Sequence, residues 1–235
     1  MAQNTNNILV GAASVAVGNY ASWGGQGDHL WQTVKNAVTG TPKNFRSWVL
    51  AQDGTTVLTH NGVTGSVSFR DVGLTQEGVE VQYQPDFGEV EVDQVLDAAK
   101  LFKQRMTVSV ATTFAEATLE NLLIVWSQTD NTNYRDPGTS SATVTERDAA
   151  YLVPGELGQA PVEKAVLFVG NAPSATIGTY NQRVYLASRA ISVEASSSSY
   201  RRNEATVFPV TFRLLPDTAA SYSAYGRVVD VVGSS

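Results

Sequence analysis

Residues 78–94 read GVEVQYQPDFGEVEVDQ, and apolar and polar residues alternate along them. The alternation runs Val79-Glu80-Val81-Gln82-Tyr83-Gln84 and resumes at Glu89-Val90-Glu91-Val92-Asp93. A strand turns successive side chains to opposite faces, so this is the period of a half-buried strand. With Pro85-Asp86-Phe87-Gly88 read as a turn, Val79, Val81, Tyr83, Val90 and Val92 share one buried face. Glu80, Glu89, Glu91 and Asp93 then share the other. Residues 71–99 hold eight acids (Asp71, Glu77, Glu80, Asp86, Glu89, Glu91, Asp93, Asp97) and no Lys or Arg. Such a run repels itself, so something must favour keeping it.

Strand signals dominate the rest of the chain. Ile8–Val17 is apolar and β-branched. Ser47–Gln52 and Thr55–His60 flank Asp53-Gly54, a two-residue hairpin signal. Val63–Arg70 and Met106–Thr112 alternate. Val162–Gly170, Arg183–Glu194, Ala205–Leu215 and a short Val228–Val232 follow, with Pro209 marking an edge or bulge. One segment has helical period. Thr113 with Glu116 fits a capping box, and Leu119, Leu122, Leu123 and Trp126 form an amphipathic stripe, predicting a helix over 114–127 with those four in its core. Asp93–Phe102 is a weaker, shorter helical candidate.

Residues of about 18–46 and 129–161 read as long loops, and long loops in compact domains tend to be functional. About 1–18 and 218–235 read as terminal arms, whose polar ends need neighbouring chains to order them. With no internal repeat and no linker, residues 1–235 are expected to form one domain. The expected fold is mainly β, an antiparallel β-sandwich with one flanking α-helix.

Chemistry is sparse. The net charge of −6 and pI of about 4.9 weigh against holding nucleic acid by its phosphates. There is no cysteine, hence no disulfide or thiolate site. The start, MAQNTNN, lacks the basic region of a signal peptide, and no apolar run approaches the ~20 residues that cross a membrane. Synthesis and assembly in the cytoplasm, without a membrane partner, are the expectation. His29 and His60 have no ligand-spaced partners, and Gly24-Gly25-Gln26-Gly27 lacks the Lys-Ser/Thr of a phosphate loop. A glycosidase needs two carboxylates in unlike environments, and the acids of 80–93 repeat along one strand face. No enzyme activity, metal or cofactor is expected. Residues 183–213 carry five arginines (Arg183, Arg189, Arg201, Arg202, Arg213) against Glu194 and Glu204. One acidic and one basic region suit head-to-tail association, with the arginines as the inter-subunit patch.

Three stretches in order carry a resemblance: GLTQEGVEVQYQPDFGEVEVDQVLDAAKLFKQ (73–104), MTVSVATTFAEATLENLLIVW (106–126) and YRRNEATVFPVTFRLLPD (200–217). Together they resemble the tail tube, or major tail, proteins of long-tailed bacteriophages, leaning towards the non-contractile kind. The resemblance implies the fold shared with type VI secretion tubes, in which inner strands of six subunits join into a ring-wide barrel. It implies stacked homo-hexameric rings in the virion tail, assembled in the host cytoplasm. It also implies a tape measure protein and a tail terminator as partners, and genomic DNA passing through the bore unbound. A bore that DNA slides through should repel phosphate. The candidate lumen-facing residues are therefore Glu80, Glu89, Glu91 and Asp93, or Thr64, Ser66 and Ser68. Competing readings are another virion structural protein, such as a decoration or minor tail protein, or a carbohydrate-binding module using Trp23, Trp31 and Trp48.

Overall fold

A computed structural model describes residues 13–19, 29–38, 44–59, 66–90, 100–127, 134–135, 149–150, 161–173, 179–193, 202–203, 205–217 and 225–234. In chain order the elements are β1 (Ser14–Asn19), α1 (His29–Ala37), α2 (Phe45–Leu50), β2 (Asp53–Thr59), β3 (Ser66–Asp71), β4 (Thr75–Val90) and β5 (Lys100–Phe114). After them come α3 (Leu119–Val125), β6 (Tyr134–Arg135), β7 (Ala149–Ala150), β8 (Lys164–Asn171), β9 (Thr179–Ser192), β10 (Phe208–Leu214) and β11 (Arg227–Ser234). The fold is mainly β, as the alternation predicts. Among the described residues, all nine long strands belong to one antiparallel sheet in the order β2-β3-β1-β8-β9-β10-β5-β4, with β11 also on β9. The short β6 and β7 pair with each other inside the expected 129–161 loop.

The sheet folds over itself at β9. One edge of β9 pairs with β8, while the other pairs with β11 along Thr179–Leu186 and then with β10 along Ala190–Ser192. Between the Val166–Ala187 and Lys164–Ala190 pairs the register shifts, giving β9 an extra residue. A bulge of this kind bends a strand and turns a sheet corner. The two halves close on a shared core. Val15 and Val17 of β1, with Val166 and Phe168 of β8, meet Val108, Val110 and Phe114 of β5, Val210 and Phe212 of β10, and Ile124 and Val125 of α3. The sandwich expected from sequence is thus one bent sheet.

The opposite face of the first half carries α1 and α2, where sequence reading placed a loop and a strand. Leu30, Trp31, Val34 and Val38 give α1 its apolar stripe, and Phe45 and Val49 anchor α2 over Ala16, Phe69, Leu167 and Val184. Trp31 stacks on Phe45 at 5.7 Å between ring centroids. Consequently β1 and β8 are buried on both faces, which accounts for the unbroken apolar run of β8. The Asp53-Gly54 pair is no hairpin turn. Ser47–Leu50 is helical, and Asp53 opens β2 with its carboxylate accepting from the Thr55 backbone N–H at 2.9 Å and from its hydroxyl at 2.8 Å. These bonds hold the Asp53 pKa below the usual carboxylate range, the Thr55 backbone bond contributing most.

The helix predicted over 114–127 begins later. Phe114 is the last residue of β5, paired with Phe208, and Thr118 caps α3 by accepting from the Asn121 N–H. Glu116 instead accepts from the Leu74 N–H at 2.9 Å. The shortened helix buries Asn121, Leu123, Ile124 and Val125. Leu119 and Leu122 are half-buried, and Trp126, expected in the core, is 38% exposed. Lys100–Phe102, placed in a weak helix by sequence, are strand.

Candidate functional site

Among the described residues β4 and β5 are the two longest strands, and they pair with each other as a hairpin. Pro85-Asp86-Phe87-Gly88 does not turn the chain. Pro85 pairs with Met106 and the strand continues to Val90. A proline fits here because β4 is an edge strand and its outer N–H positions need no partner. Two irregularities shape the hairpin. Glu77 and Gly78, at φ 66° and 75°, are extra residues between the Gln76–Thr113 and Val79–Thr112 pairs, and Thr112 Oγ1 donates to the Gly78 carbonyl at 2.8 Å. Farther out Gln104 is extra, between the Asp86–Arg105 and Phe87–Lys103 pairs.

Register decides what each face carries. The inner face, continuous with the core, bears Val79, Val81, Tyr83 and Pro85 opposite Thr112, Val110, Val108 and Met106. Past the Gln104 bulge it continues as Phe87 and Glu89 opposite Lys103 and Leu101. The outer face bears Glu80, Gln82, Gln84 and Asp86 opposite Ala111, Ser109, Thr107 and Arg105, then Val90 opposite Lys100. On β10 the same outer face continues through Pro209, Thr211 and Arg213. A shallow groove of about 150 Å³ lies there, lined by Glu77, Glu80, Thr113, Pro209 and Thr211 among others.

This corrects the sequence reading of the carboxylates. Because the strand is unbroken, Glu80 and Glu89 differ by an odd number of residues and lie on opposite faces. Glu91 and Asp93 are outside the described residues, as is Thr64. Ser66 and Ser68 sit half-buried on β3, on the face of Arg70, which pairs with Val17. The Ser68 backbone N–H and hydroxyl both donate to Asn19 Oδ1. The two sets of lumen candidates therefore lie on different strands and not in one row. The acids of β4 also have basic neighbours that the count over 71–99 stopped short of: Lys100, Lys103 and Arg105 lie across the hairpin.

Beyond the core the hairpin projects with apolar side chains on both faces. Val81, Tyr83, Phe87, Val90, Leu101 and Phe102 are 42% to 59% exposed. Lys103 donates to the Tyr83 hydroxyl at 2.8 Å. A two-stranded hairpin is marginally stable alone in water, and a long open edge invites pairing.

The arginines divide. Arg183 forms a bidentate pair with Asp230 of β11 at 2.6 and 2.8 Å, and the Arg183 hydrogen bond is the main cause holding Asp230 below the carboxylate range. Arg189 grips Glu163 at 2.9 and 2.5 Å and the Pro216 carbonyl. Arg201 is outside the described residues, Arg202 is exposed, and Arg213 is half-buried on the outer face.

Sequence reading missed the polar hub at the root of the hairpin. Asn121, fully buried, donates to the Val72 and Glu116 carbonyls at 2.9 Å each and accepts from Arg70 at 2.7 Å. A buried asparagine inside an apolar helical stripe was the available signal. Among the described residues no group of His, Cys, Asp and Glu is placed to hold a metal, and no helix is long and apolar enough to cross a membrane. Of the tryptophans proposed as a sugar platform, Trp31 is buried and Trp48 packs edge-on against Phe69, while Trp23 is outside the described residues. Compared with known proteins, the chain matches no protein-family model and no curated sequence.

Proposed function

We propose that this chain is a structural subunit that assembles into a hollow tube, the tail tube of a long-tailed bacteriophage. The observation that carries the reading is the projecting β4–β5 hairpin, with its long open edge and exposed apolar residues on both faces. Surface of that kind is costly in a monomer and ordinary in a subunit. The hexameric ring and the virion tail come from the sequence resemblance.

In this reading the outer face of β4, β5 and β10 lines the bore. It offers Glu80, Gln82, Gln84, Thr107, Ser109, Thr113 and Thr211, and the same face also carries Asp86, Arg105, Lys100 and Arg213. The uncharged side chains have little to hold a phosphate backbone and Glu80 repels it, whereas Arg105, Lys100 and Arg213 are the groups on this face that attract it. Glu89 leaves the proposed lining, since it lies on the other face.

Negative-stain electron microscopy of the purified chain, with mass measured in parallel, tests the assembly. Sixfold hollow tubes are expected. Compact particles without a bore would overturn the reading. The lining is tested separately by Gln82→Lys with Ser109→Lys in the phage: tubes of normal length and slower genome ejection, relieved by salt, are expected. Unchanged ejection would remove this face from the bore.

A further inference from the structure

Two buried acceptors near the root of the β4–β5 hairpin, Gln52 Oε1 and Asp71 Oδ1, have no donor among the described residues. Register makes them neighbours. Asp53 pairs with Arg70, so Gln52 stands opposite Asp71, and the Asp71 N–H donates to the Gln52 carbonyl at 2.9 Å. Directly opposed residues of an antiparallel pair turn their side chains to one face, with Cβ atoms about 5 Å apart. The Gln52 amide nitrogen donates to the Trp48 carbonyl at 3.1 Å, which leaves its oxygen as the end that Asp71 meets. An amide oxygen and an ionised carboxylate can only accept, so neither satisfies the other. A proton on Asp71 supplies the one missing donor and satisfies both.

Asp71 also stands at the joint from which the hairpin springs. Two residues on, Gly73 takes φ 80°, and the Glu116 carboxylate fills the space where a Cβ on Gly73 would stand. The Gly73 N–H donates to the Asp71 carboxylate, and the Leu74 N–H donates to Glu116 at 2.9 Å. Two carboxylates thus hold consecutive N–H groups where the chain passes from β3 to β4, and when both are ionised they repel across the joint. Arg70, the adjacent cation, is turned to Asn121 Oδ1 and to the Asp71 carbonyl. Strand β1, paired with Asp71 through Ala16, brings no charge. The other titratable groups on the surrounding elements are Arg46 of α2, Asp53 of β2 and Glu120 of α3. Burial is the largest cause raising the Asp71 pKa, and the Glu116 charge adds to it.

We propose that Asp71 is a proton switch for the β4–β5 hairpin. Protonated, its Oδ1 donates to Gln52 Oε1, which ties the start of β2 to the end of β3 and steadies the Gly73-Leu74 joint. Ionised, it loses that bond, the two carboxylates repel, and the hairpin amides open to solvent more often. The proton comes from solvent and returns to it. The switch is on below the ordinary aspartate pKa of 3.8 and is lost as pH rises through the higher folded value. It goes beyond the tube reading and does not depend on it.

The test follows the Asp71 carboxyl carbon by NMR in the free full-length chain, together with hydrogen exchange of amides 72–90 corrected for the intrinsic pH dependence of exchange. Asp71 is expected to titrate above 3.8. Protection of the hairpin amides should fall over the same range, by at most about tenfold for each pH unit between the folded and unfolded titrations. Asp71→Asn keeps a donor for Gln52 and removes the charge, so protection should stay high and flat with pH. Gln52→Leu removes the acceptor of the proton and should move the Asp71 titration down, whereas burial alone would hold it or move it up. If Asp71→Asn fails to fold, Gln52→Leu carries the test by the same two readouts. An Asp71 titration at or below 3.8 would overturn the proposal. So would hairpin protection that ignores pH in the parent, or a Gln52→Leu titration at or above the parent's.

Discussion

At the scale of single residues, the root of the hairpin is held by one polar side chain. Asn121 uses both amide hydrogens and its oxygen, tying α3 to the strand-to-hairpin segment at Val72 and to Arg70. Asn121→Ala takes the amide donor from the buried Val72 carbonyl and from the part-buried Glu116 carbonyl, and is expected to cost about 1–3 kcal/mol, read by denaturant unfolding. A loss within error would mean that water replaces the amide. Asp71, nearby, has its pKa raised, first by burial and further by Glu116, and its Oδ1 is buried without a hydrogen-bond partner. A folded pKa above the unfolded value means that protonation favours the folded state. That favour is full below the ordinary aspartate pKa of 3.8 and is lost as pH rises through the higher folded value. Asp71→Asn should therefore raise the Tm at neutral pH and leave it unchanged near pH 3. A variant destabilised at neutral pH would show that the charge is needed where it sits.

Among elements, α3 shows how a few residues of phase change the core. Leu123 is fully buried, and Leu123→Ala should cost about 2–5 kcal/mol by leaving a cavity. Leu122 only packs partly buried against the cluster, so Leu122→Ala should cost clearly less. Equal losses would put the helix in the register that its sequence stripe implies. The short α2 depends on a distant strand. Gln182 of β9 accepts from the Phe45 N–H at 2.8 Å and donates to Asn44 Oδ1 at 2.8 Å, supplementing the Asn44 cap. No local pattern announces a cap supplied from so far along the chain. That is why Ser47–Gln52 read as a strand.

For the whole molecule, stability is uneven by design of the topology. The β8 strand is buried on both faces, whereas the outer half of the β4–β5 hairpin is exposed on both. Backbone amides of residues 81–90 and 100–106 should exchange with solvent faster than those of 164–169 in the free subunit. On assembly they should become protected. The same exchange in both states would mean that the hairpin is not the contact, however the tube forms.

The amino-acid sequence by itself determined that this is an antiparallel β protein with a helix near residue 120, because period-2 alternation and an apolar stripe are local properties. It marked β3, β8, β9 and β10 within a few residues, since each is bounded by polar or glycine-rich stretches. It also singled out the 78–94 stretch as the unusual one. Tertiary structure decided the rest. The faces of Glu80 and Glu89 depend on whether the chain turns at Pro85, and an edge position opposite Met106 lets the strand run on. The pairing of Arg183 with Asp230 and of Arg189 with Glu163 depends on which strands and loops lie side by side, a matter of long-range register. Trp126 left the core because α3 ends at Val125 and Trp126 caps it. In the first two cases a contact between distant residues outweighed a local preference, and such contacts have no signature in a short window of sequence.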